Sequence, residues 1–218
     1  MKATNAIIMA YIVIFLVPMS GLAIDIYTPA LPIIQHALNV SPTMAKYTVS
    51  TYILGFGASQ LLWGVLSDQY GRKRIILIGL YVFLFSTTLL PLTKSVNIFL
   101  LLRIIQGIAV GAINAAARTV IIDLFSGAEF KKYINSCTIA WSLSPIVAPA
   151  IGAALINWLN WTACFYALSL YALLALILTH IFLVRTNQNV IVFSIRATSK
   201  NIMKVIKDRD YCAALTLV

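Results

Sequence analysis

The sequence predicts an all-α polytopic membrane protein with six transmembrane helices, on the strength of three observations. Of the 218 residues, 61% are hydrophobic and 10% are charged, whereas about a quarter of an average soluble domain is charged. Six apolar runs of about 18 to 25 residues follow one another, and at 1.5 Å per residue each can cross a hydrocarbon core of about 30 Å. Basic residues fall mainly on alternate connections between the runs. A water-soluble chain of this size could not cover so much apolar surface.

The first run extends from about Ala6 to Tyr27. A secretory signal peptide is the alternative here, because Gly21 and Ala23 have the small side chains of a cleavage site. The run is too long for a signal core and is one of six similar runs, which favours a membrane helix. The other five runs are approximately Thr48 to Leu66, Ile75 to Leu92, Ile98 to Ile122, Ile134 to Ile156 and Thr162 to Val184.

The charges between the runs predict the orientation, since basic clusters near a hydrocarbon boundary are retained on the cytoplasmic side. If the amino terminus is cytoplasmic, the outer connections carry only Lys46 and Lys94, and Arg103 and Arg118 lie inside the fourth run. The other basic residues all fall on the inner side: Lys2, Arg72, Lys73, Arg74, Lys131, Lys132, Arg185, Arg196, Lys200, Lys204, Lys207 and Arg209.

The composition changes after the sixth run, and it divides the chain into three parts. Residues 1–184 form the predicted six-helix bundle. Residues 185–210 are polar and basic, with Lys and Arg at helical spacing, which is typical of a helix lying on an anionic leaflet. Residues 211–218 begin another apolar run, and eight residues, about 12 Å, are too few to cross a membrane. We therefore expect a truncated seventh helix there.

Several other functions are excluded. The net charge of +10 does not predict nucleic-acid binding, because the basic residues lie between apolar runs and form no continuous stripe with aromatic residues. Cys137, Cys164 and Cys212 lack metal-ligand spacing, so we expect buried packing residues and no metal site. No catalytic nucleophile or phosphate-binding loop is recognisable, so we do not expect an enzyme.

Small residues recur at every fourth position in two of the runs, which indicates close helix packing. Pro145 and Pro149 remove backbone hydrogen bonds from the fifth run, so we expect it to bend. The small residues are Gly107, Gly111 and Ala115 in the fourth run and Ala140, Ser144, Ala148 and Gly152 in the fifth.

Four motifs lie in a fixed order along the chain. They are Asp25-Ile26-Tyr27-Thr28-Pro29-Ala30-Leu31-Pro32, Gly64-x-Leu66-x-Asp68-x-x-Gly71-Arg72-Lys73, Leu100-x-x-Arg103-x-x-Gln106-Gly107 and Ser144-x-x-x-Ala148-Pro149-x-x-Gly152-Ala153-x-Leu155. The last three resemble the loop, fourth-helix and antiporter-type fifth-helix signatures of the major facilitator superfamily of transporters. The first resembles its drug/proton antiporters of the bicyclomycin and chloramphenicol resistance type. Ala109, Ala148 and Ala153 stand where the patterns have glycine, and each replacement is small for small.

The resemblance implies one half of a twelve-helix transporter, in which each half consists of two inverted three-helix repeats and the substrate lies between the halves. It further implies proton-coupled export of small lipophilic drugs across a bacterial inner membrane, with the proton gradient as energy source and no cofactor. A second six-helix half, in the same chain or another subunit, would complete the cavity, and the resemblance makes residues 185–210 the cytoplasmic linker between the halves. We expect the small-residue stripes to face that half. The alternatives are a truncated, non-transporting membrane module and a proton-coupled symporter of the same superfamily.

The charges inside the runs are the candidate site, because a charge within a membrane helix normally faces a cavity or a partner. Asp25 lies about 28 Å from the inner end of the first helix and Arg103 about 8 Å from the outer end of the fourth, so both belong to the outer part of the membrane. We expect them, with Gln106 and Asn114, to form the proton-coupling and substrate site. Alternatively, Asp25 tethers the outer helix ends, and Gln106 and Asn114 are interhelical ties.

A second group of charges lies near the inner face. Arg118, about 30 Å from the outer end of the fourth helix, and Asp123 come close to the level of Asp68 and Arg72. The resemblance implies a conformational latch, which holds the inner helix ends together in one state and releases them in another; the alternative is an incidental ion pair. The predicted latch comprises Gly64, Asp68, Gly71, Arg72, Arg118 and Asp123. Pro145, Ala148, Pro149 and Gly152 form the antiporter-type motif of the fifth helix.

Overall fold

The computed structural model describes residues 3–184, and this part of the chain is helical with no β-strand. The predicted linker at 185–210 and the predicted seventh helix at 211–218 lie outside the described residues, as does Cys212. The helices are α1 (Ala3–Leu16), α2 (Met19–Asp25), α3 (Leu31–Ala37), α4 (Pro42–Tyr70), α5 (Arg72–Leu89), α6 (Val96–Leu124), α7 (Gly127–Trp158) and α8 (Thr162–Phe182), with 3-10 turns at Thr28–Ala30 and Leu90–Leu92.

Six segments are long and apolar enough to cross a membrane, which confirms the predicted fold class. Most extend beyond the apolar runs because a helix continues into its polar caps. For example, α4 begins with Pro42 in its first turn, and the Ser41 hydroxyl accepts a hydrogen bond from the Met44 N–H at 3.2 Å. Serine as the capping residue and proline in the first turn are both common at helix N-termini. The six segments are Thr4–Ala37, Pro42–Tyr70, Arg72–Leu92, Val96–Leu124, Gly127–Trp158 and Thr162–Phe182.

The first segment differs most from its predicted bounds. It reaches Ala37 rather than Tyr27, and it is interrupted between α1 and α2. Pro18 lies at the interruption, where it supplies no backbone N–H. Pro29 and Pro32 each stand in the first turn of a short helix, a position that tolerates proline. The prolines therefore divide this segment into short helices without ending it.

A single residue, Gly71, connects α4 to α5. Its φ of +93° and ψ of 142° are a conformation that side-chain-bearing residues rarely adopt. The sharp reversal places the start of α5 beside the end of α4. It also brings the basic residues Arg72 to Arg74 to the end of the bundle where α6 ends and α7 begins. We call this the basic end.

Close backbone contacts within the six helices account for the small-residue stripes. A Cβ atom added to Gly107 would lie 2.2 Å from the Tyr52 carbonyl oxygen of α4, and one added to Gly152 would lie 1.8 Å from the Ile26 carbonyl oxygen at the end of α2. The predicted close packing is confirmed. The expectation that the stripes face a second half is wrong for Gly107, Gly111 and Gly152, because each lies against a neighbouring helix of the same half.

The most exposed face belongs to α4 and α7, the two least buried of the six segments. Large apolar side chains on it are strongly exposed, including Leu61 at 77% and Ile146 at 72%. Both helices contact α6, which is central in the bundle and carries the longest set of buried residues. The residues of α6 that lie between α4 and α7 therefore form the floor of an open groove.

Candidate functional site

Arg103 is completely buried in the middle of four helices. Its guanidinium donates hydrogen bonds to the carbonyl oxygens of Thr48 (3.1 Å) and Ala23 (3.2 Å) and to the Gln106 side chain. It also lies over two aromatic rings, 4.4 Å from the centroid of Tyr27 and 4.6 Å from that of Tyr52. Cation–π contacts of this kind are strongest when they are shielded from water. The charge is thus compensated by dipoles and rings.

The residues around Arg103 are themselves held by neighbouring helices. The Tyr27 and Thr48 hydroxyls are hydrogen bonded at 3.2 Å, and the Tyr52 hydroxyl donates to the Ser20 carbonyl oxygen at 3.0 Å. The Gln106 amide donates to the Thr87 hydroxyl of α5 at 2.6 Å. This network joins the first four membrane segments. Fully satisfied buried networks make a packing arrangement specific.

Asp25 does not pair with Arg103. No ion pair joins them among residues 3–184, and Asp25 is only partly buried. A Cβ atom on Gly21 would lie 3.9 Å from the Asp25 Oδ2 atom and 2.8 Å from the Cβ of Ser144 in α7. Asp25 is therefore at the contact of α2 with α7, outside the Arg103 network. The structure therefore does not join Asp25 and Arg103 in one site as predicted, because the partners of Arg103 are Thr48, Ala23 and Gln106.

The aromatic rings and backbone carbonyl groups that surround Arg103 were not predicted from the sequence. The motif around Asp25 includes Tyr27, but its ring was not assigned to Arg103. Thr48 and Tyr52 are one turn apart on α4 and both are fully buried. The Thr48 hydroxyl can donate to the Ala45 carbonyl oxygen of its own helix, but the buried Tyr52 hydroxyl needs a partner on another helix. That spacing was the available signal. It did not reveal which helix they face.

A cavity of about 240 Å³ lies on the open groove between α4, α6 and α7. At its edge the Asn114 amide and the Trp141 indole N–H both donate to the Ser20 hydroxyl, at 2.9 and 3.1 Å. Ser20 belongs to α2, directly after the interruption of the first segment. Asn114 thus ties helices together and also lines the cavity. The lining residues are Phe56, Gln60, Asn114, Ala115, Arg118 and Trp141.

The basic end contains an ion-pair cluster centred on Arg72, which is buried. Its guanidinium pairs with Asp68 of α4, donates to Asp123 of α6 at 3.2 Å and donates to the Ser67 hydroxyl at 2.9 Å. Arg72 thereby links the ends of three helices. Gly64 contributes only its carbonyl oxygen, which accepts a hydrogen bond from the Ser67 hydroxyl.

Arg118 does not belong to this cluster. Within residues 3–184 it makes no ion pair, and its side chain lines the cavity instead. The predicted latch is corrected accordingly: Asp68, Arg72 and Asp123 come together, and Arg118 lies apart. Arg118 and Asp123 are five positions apart, and five residues at 100° per residue place them on different faces of α6.

Removal of Arg72 is expected to weaken the basic end. Arg72→Ala should lower the free energy of unfolding by about 1 to 3 kcal/mol, less than the full cost of breaking a buried pair because both carboxylates are partly exposed. Unfolding in mixed dodecylmaltoside and SDS micelles would measure it. Arg74→Ala is the matched control, since Arg74 is exposed in the same basic run. Equal losses in the two variants would contradict a specific cluster.

The fifth-helix motif has two different faces. Ala148 and Gly152 are buried, Pro149 is partly buried and Pro145 is exposed. The helix continues through both prolines from Gly127 to Trp158. The small residues thus serve the contact with α2, whereas Pro145 lies on the open side of α7. The role of the motif in antiport stays a prediction.

Comparison with known proteins settles the family. The model of the Major Facilitator Superfamily matches residues 13–207. The chain belongs to this superfamily. It is therefore an integral membrane protein of a transporter family, and not an enzyme. The resemblance seen in the four motifs is confirmed.

Several superfamily relatives are named for drug resistance. A bicyclomycin resistance protein homolog of Haemophilus influenzae is 31% identical over 96% of this chain and 52% of its own length. Multidrug resistance protein D of Escherichia coli is 30% identical over 76% of this chain and 42% of its own. A chloramphenicol resistance protein of Pseudomonas aeruginosa is 33% identical over 70% and 36%. The chain spans about half the length of the relatives it matches.

Solved transporter structures share the fold. The human organic anion transporter MFSD10 superposes with a TM-score of 0.68 at 17% identity, over 89% of this chain and 53% of that one. The peptide transporter POT superposes with a TM-score of 0.70 at 13% identity, over 97% and 45%. At these identities the likeness establishes the architecture of one transporter half.

Proposed function

We propose that the chain is the amino-terminal half of a proton-coupled exporter of small lipophilic drugs or toxic compounds. It would work in a bacterial inner membrane, with the amino terminus and the basic end in the cytoplasm. The proton gradient supplies the energy, and no cofactor is needed. The resistance proteins named among its relatives support export of drugs. The observation that carries proton coupling is the position of Asp25, the one carboxylate among residues 3–184 that lies away from the basic end.

A second six-helix half completes the transporter, in the same chain or in another subunit. Support comes from the exposed apolar face of α4 and α7 and from relatives about twice as long as this chain. The bilayer covers the remaining outer surface. The substrate binds in the groove between the halves, against the cavity wall on α4, α6 and α7.

Proton binding at Asp25 couples to this groove through the packing of the first segment. Asp25 lies where α2 contacts α7, and Ser20 on the same short helix accepts hydrogen bonds from Asn114 and Trp141 at the cavity edge. Neutralising the carboxylate removes a charge from the α2 contact with α7, so it changes how the two helices pack. The Arg103 network, with Gln106, keeps the first four segments together while this contact adjusts.

The Arg72 cluster acts at the opposite end of the same segments. It holds the ends of α4, α5 and α6 together in one conformational state of the transporter and releases them in another when the two halves rock. Its partly exposed carboxylates suit such a reversible contact, since an exposed pair contributes little free energy. Arg118 is not part of this latch.

The decisive variant is Asp25→Asn in the complete transporter that contains this half. We expect it to abolish chloramphenicol- or bicyclomycin-dependent proton movement in everted membrane vesicles, because an amide does not bind and release a proton near neutral pH. Resistance of an efflux-deficient bacterial host should fall to the level of the host alone, and Asp25→Glu should retain part of it. Glu129→Gln is the matched control, since Glu129 is an exposed carboxylate at the start of α7.

Three results would contradict the proposal. Unchanged proton movement in Asp25→Asn would remove Asp25 from the coupling site. Drug accumulation driven by the gradient would show symport in place of export. Full resistance from residues 1–218 that are monomeric in the membrane would refute the need for a second half.

A further inference from the structure

Resting on the proposed transport function, we infer that Arg118, Gln60 and Trp141 form a substrate subsite for amphipathic compounds with an anionic or strongly hydrogen-bond-accepting head and an aromatic body. The three side chains come from α6, α4 and α7 and line the same cavity of about 240 Å³. This volume fits part of a drug-sized molecule, because complete ligand pockets are about 300 to 1,000 Å³.

Arg118 supplies the charge of this subsite. It is exposed on the groove one helical turn from Asn114, about 9 Å from the end of α6. A charge at such a depth is maintained only when it faces water or a partner. Among residues 3–184 it has no carboxylate partner, so within this half its guanidinium is available to a ligand.

The carboxylates of this half do not compensate Arg118. Asp123 on the same helix is paired with Arg72. Asp25 lies on the opposite side of the Ser20–Asn114 hydrogen bond, and the five residues from Ser20 to Asp25 with the four from Asn114 to Arg118 separate the two charges by about 14 Å along the helix axes. The cavity wall is consequently positive, and it attracts an anion or an acceptor and disfavours a cation.

The rest of the wall fits a flat apolar body. Phe56 and Trp141 contribute aromatic rings from opposite sides of α6, and the Trp141 ring is anchored by its hydrogen bond to the Ser20 hydroxyl. Gln60 has no hydrogen bond to any other described residue, so its amide is free to hydrogen bond to the ligand. A guanidinium binds a carboxylate through two parallel hydrogen bonds. The ligand would therefore bind with its head group on Arg118 and its aromatic body stacked against the rings of Phe56 and Trp141.

Probes that share a naphthyl body and carry an anionic, neutral or cationic head group test this inference. Tritiated naphthoate, naphthylmethanol and naphthylmethylammonium would be bound to the complete transporter in nanodiscs by equilibrium dialysis. We expect naphthoate to bind at least about tenfold more tightly than the ammonium compound, and Arg118→Ala to remove most of that difference, since a charge-assisted bidentate pair is lost. Arg118→Lys should retain part of it, because lysine keeps the charge without the fork. Arg74→Ala is the control outside the cavity.

Each outcome decides the matter. A uniform loss of all three probes in Arg118→Ala, or unchanged naphthoate binding, would overturn the subsite; the neutral isostere Arg118→Gln repeats the measurement if the alanine variant does not fold. Trp141→Phe should weaken all three probes alike. Drug-dependent proton movement is recorded on the same variants. Charge-selective binding without transport would contradict the proposed function alone, and transport with unselective binding would contradict the subsite alone.

Discussion

Gly152→Ala is expected to disrupt the bundle more than any other single-methyl change in α7. The added Cβ atom would lie 1.8 Å from the Ile26 carbonyl oxygen and 2.8 Å from its carbon. Both are backbone atoms, so no side chain can rotate away, and α7 must separate from the end of α2. Overpacking costs about 1 to 3 kcal/mol in ordinary cores and more where nothing yields. We expect a loss of about 3 kcal/mol or more.

Gly57→Ala is the matched control for this prediction. Gly57 lies in α4, and a Cβ atom there would meet nothing within 4 Å. Alanine favours the helix over glycine by about 1 kcal/mol, so this variant should be as stable as the unaltered protein or more so. Unfolding in mixed detergent micelles and the yield of folded protein in the membrane would measure both variants. Equal stability of Gly152→Ala and Gly57→Ala would contradict the close contact of α7 with α2.

Arg103→Ala should have the second large effect. It removes three hydrogen bonds and two ring contacts from a fully buried position, and it leaves a void between four helices. Truncation of a large buried side chain costs about 2 to 5 kcal/mol, and hydrogen bonds from a charged group contribute about 1.5 to 3 kcal/mol each before compensation. We expect a loss of about 3 to 5 kcal/mol in the same micelle assay.

Two further variants separate charge from packing at this position. Arg103→Met keeps much of the volume without the charge, and Arg103→Lys keeps the charge without the planar fork. We expect both to fall between the alanine variant and the unaltered protein, because each retains one of the two contributions. If Arg103→Ala unfolds within experimental error of the unaltered protein, the network does not stabilise this half.

Much of the fold could be predicted from the sequence. The six segments follow from run length and hydropathy, because the thickness of the hydrocarbon core sets the length of a spanning helix. The turn at Gly71 follows from a glycine beside a charged cluster, and Ser41 with Pro42 marks the start of α4. The first segment was predicted too short because Pro29 and Pro32 indicate an end, although each stands in the first turn of a short helix, which tolerates proline.

The candidate site was predicted less completely. The position of a residue along its helix axis follows from counting residues. Counting placed Arg118 near the level of Arg72 and Asp25 near that of Arg103. Counting does not fix the direction in which a side chain leaves its helix relative to a neighbour. Arg118 consequently lines the cavity and does not join the Arg72 cluster. Asp25 lies where α2 contacts α7 and does not pair with Arg103.

By itself, the sequence determined the number of membrane segments, the helices on which the charges stand and the membership of a transporter superfamily. These properties depend on hydropathy, length and local motifs, which are all visible in the linear sequence. Only the tertiary structure decided that Tyr27 and Tyr52 enclose Arg103, that the glycine stripes serve contacts inside this half and that Arg118 faces the groove. The rotation of each helix about its axis depends on packing against helices remote in sequence.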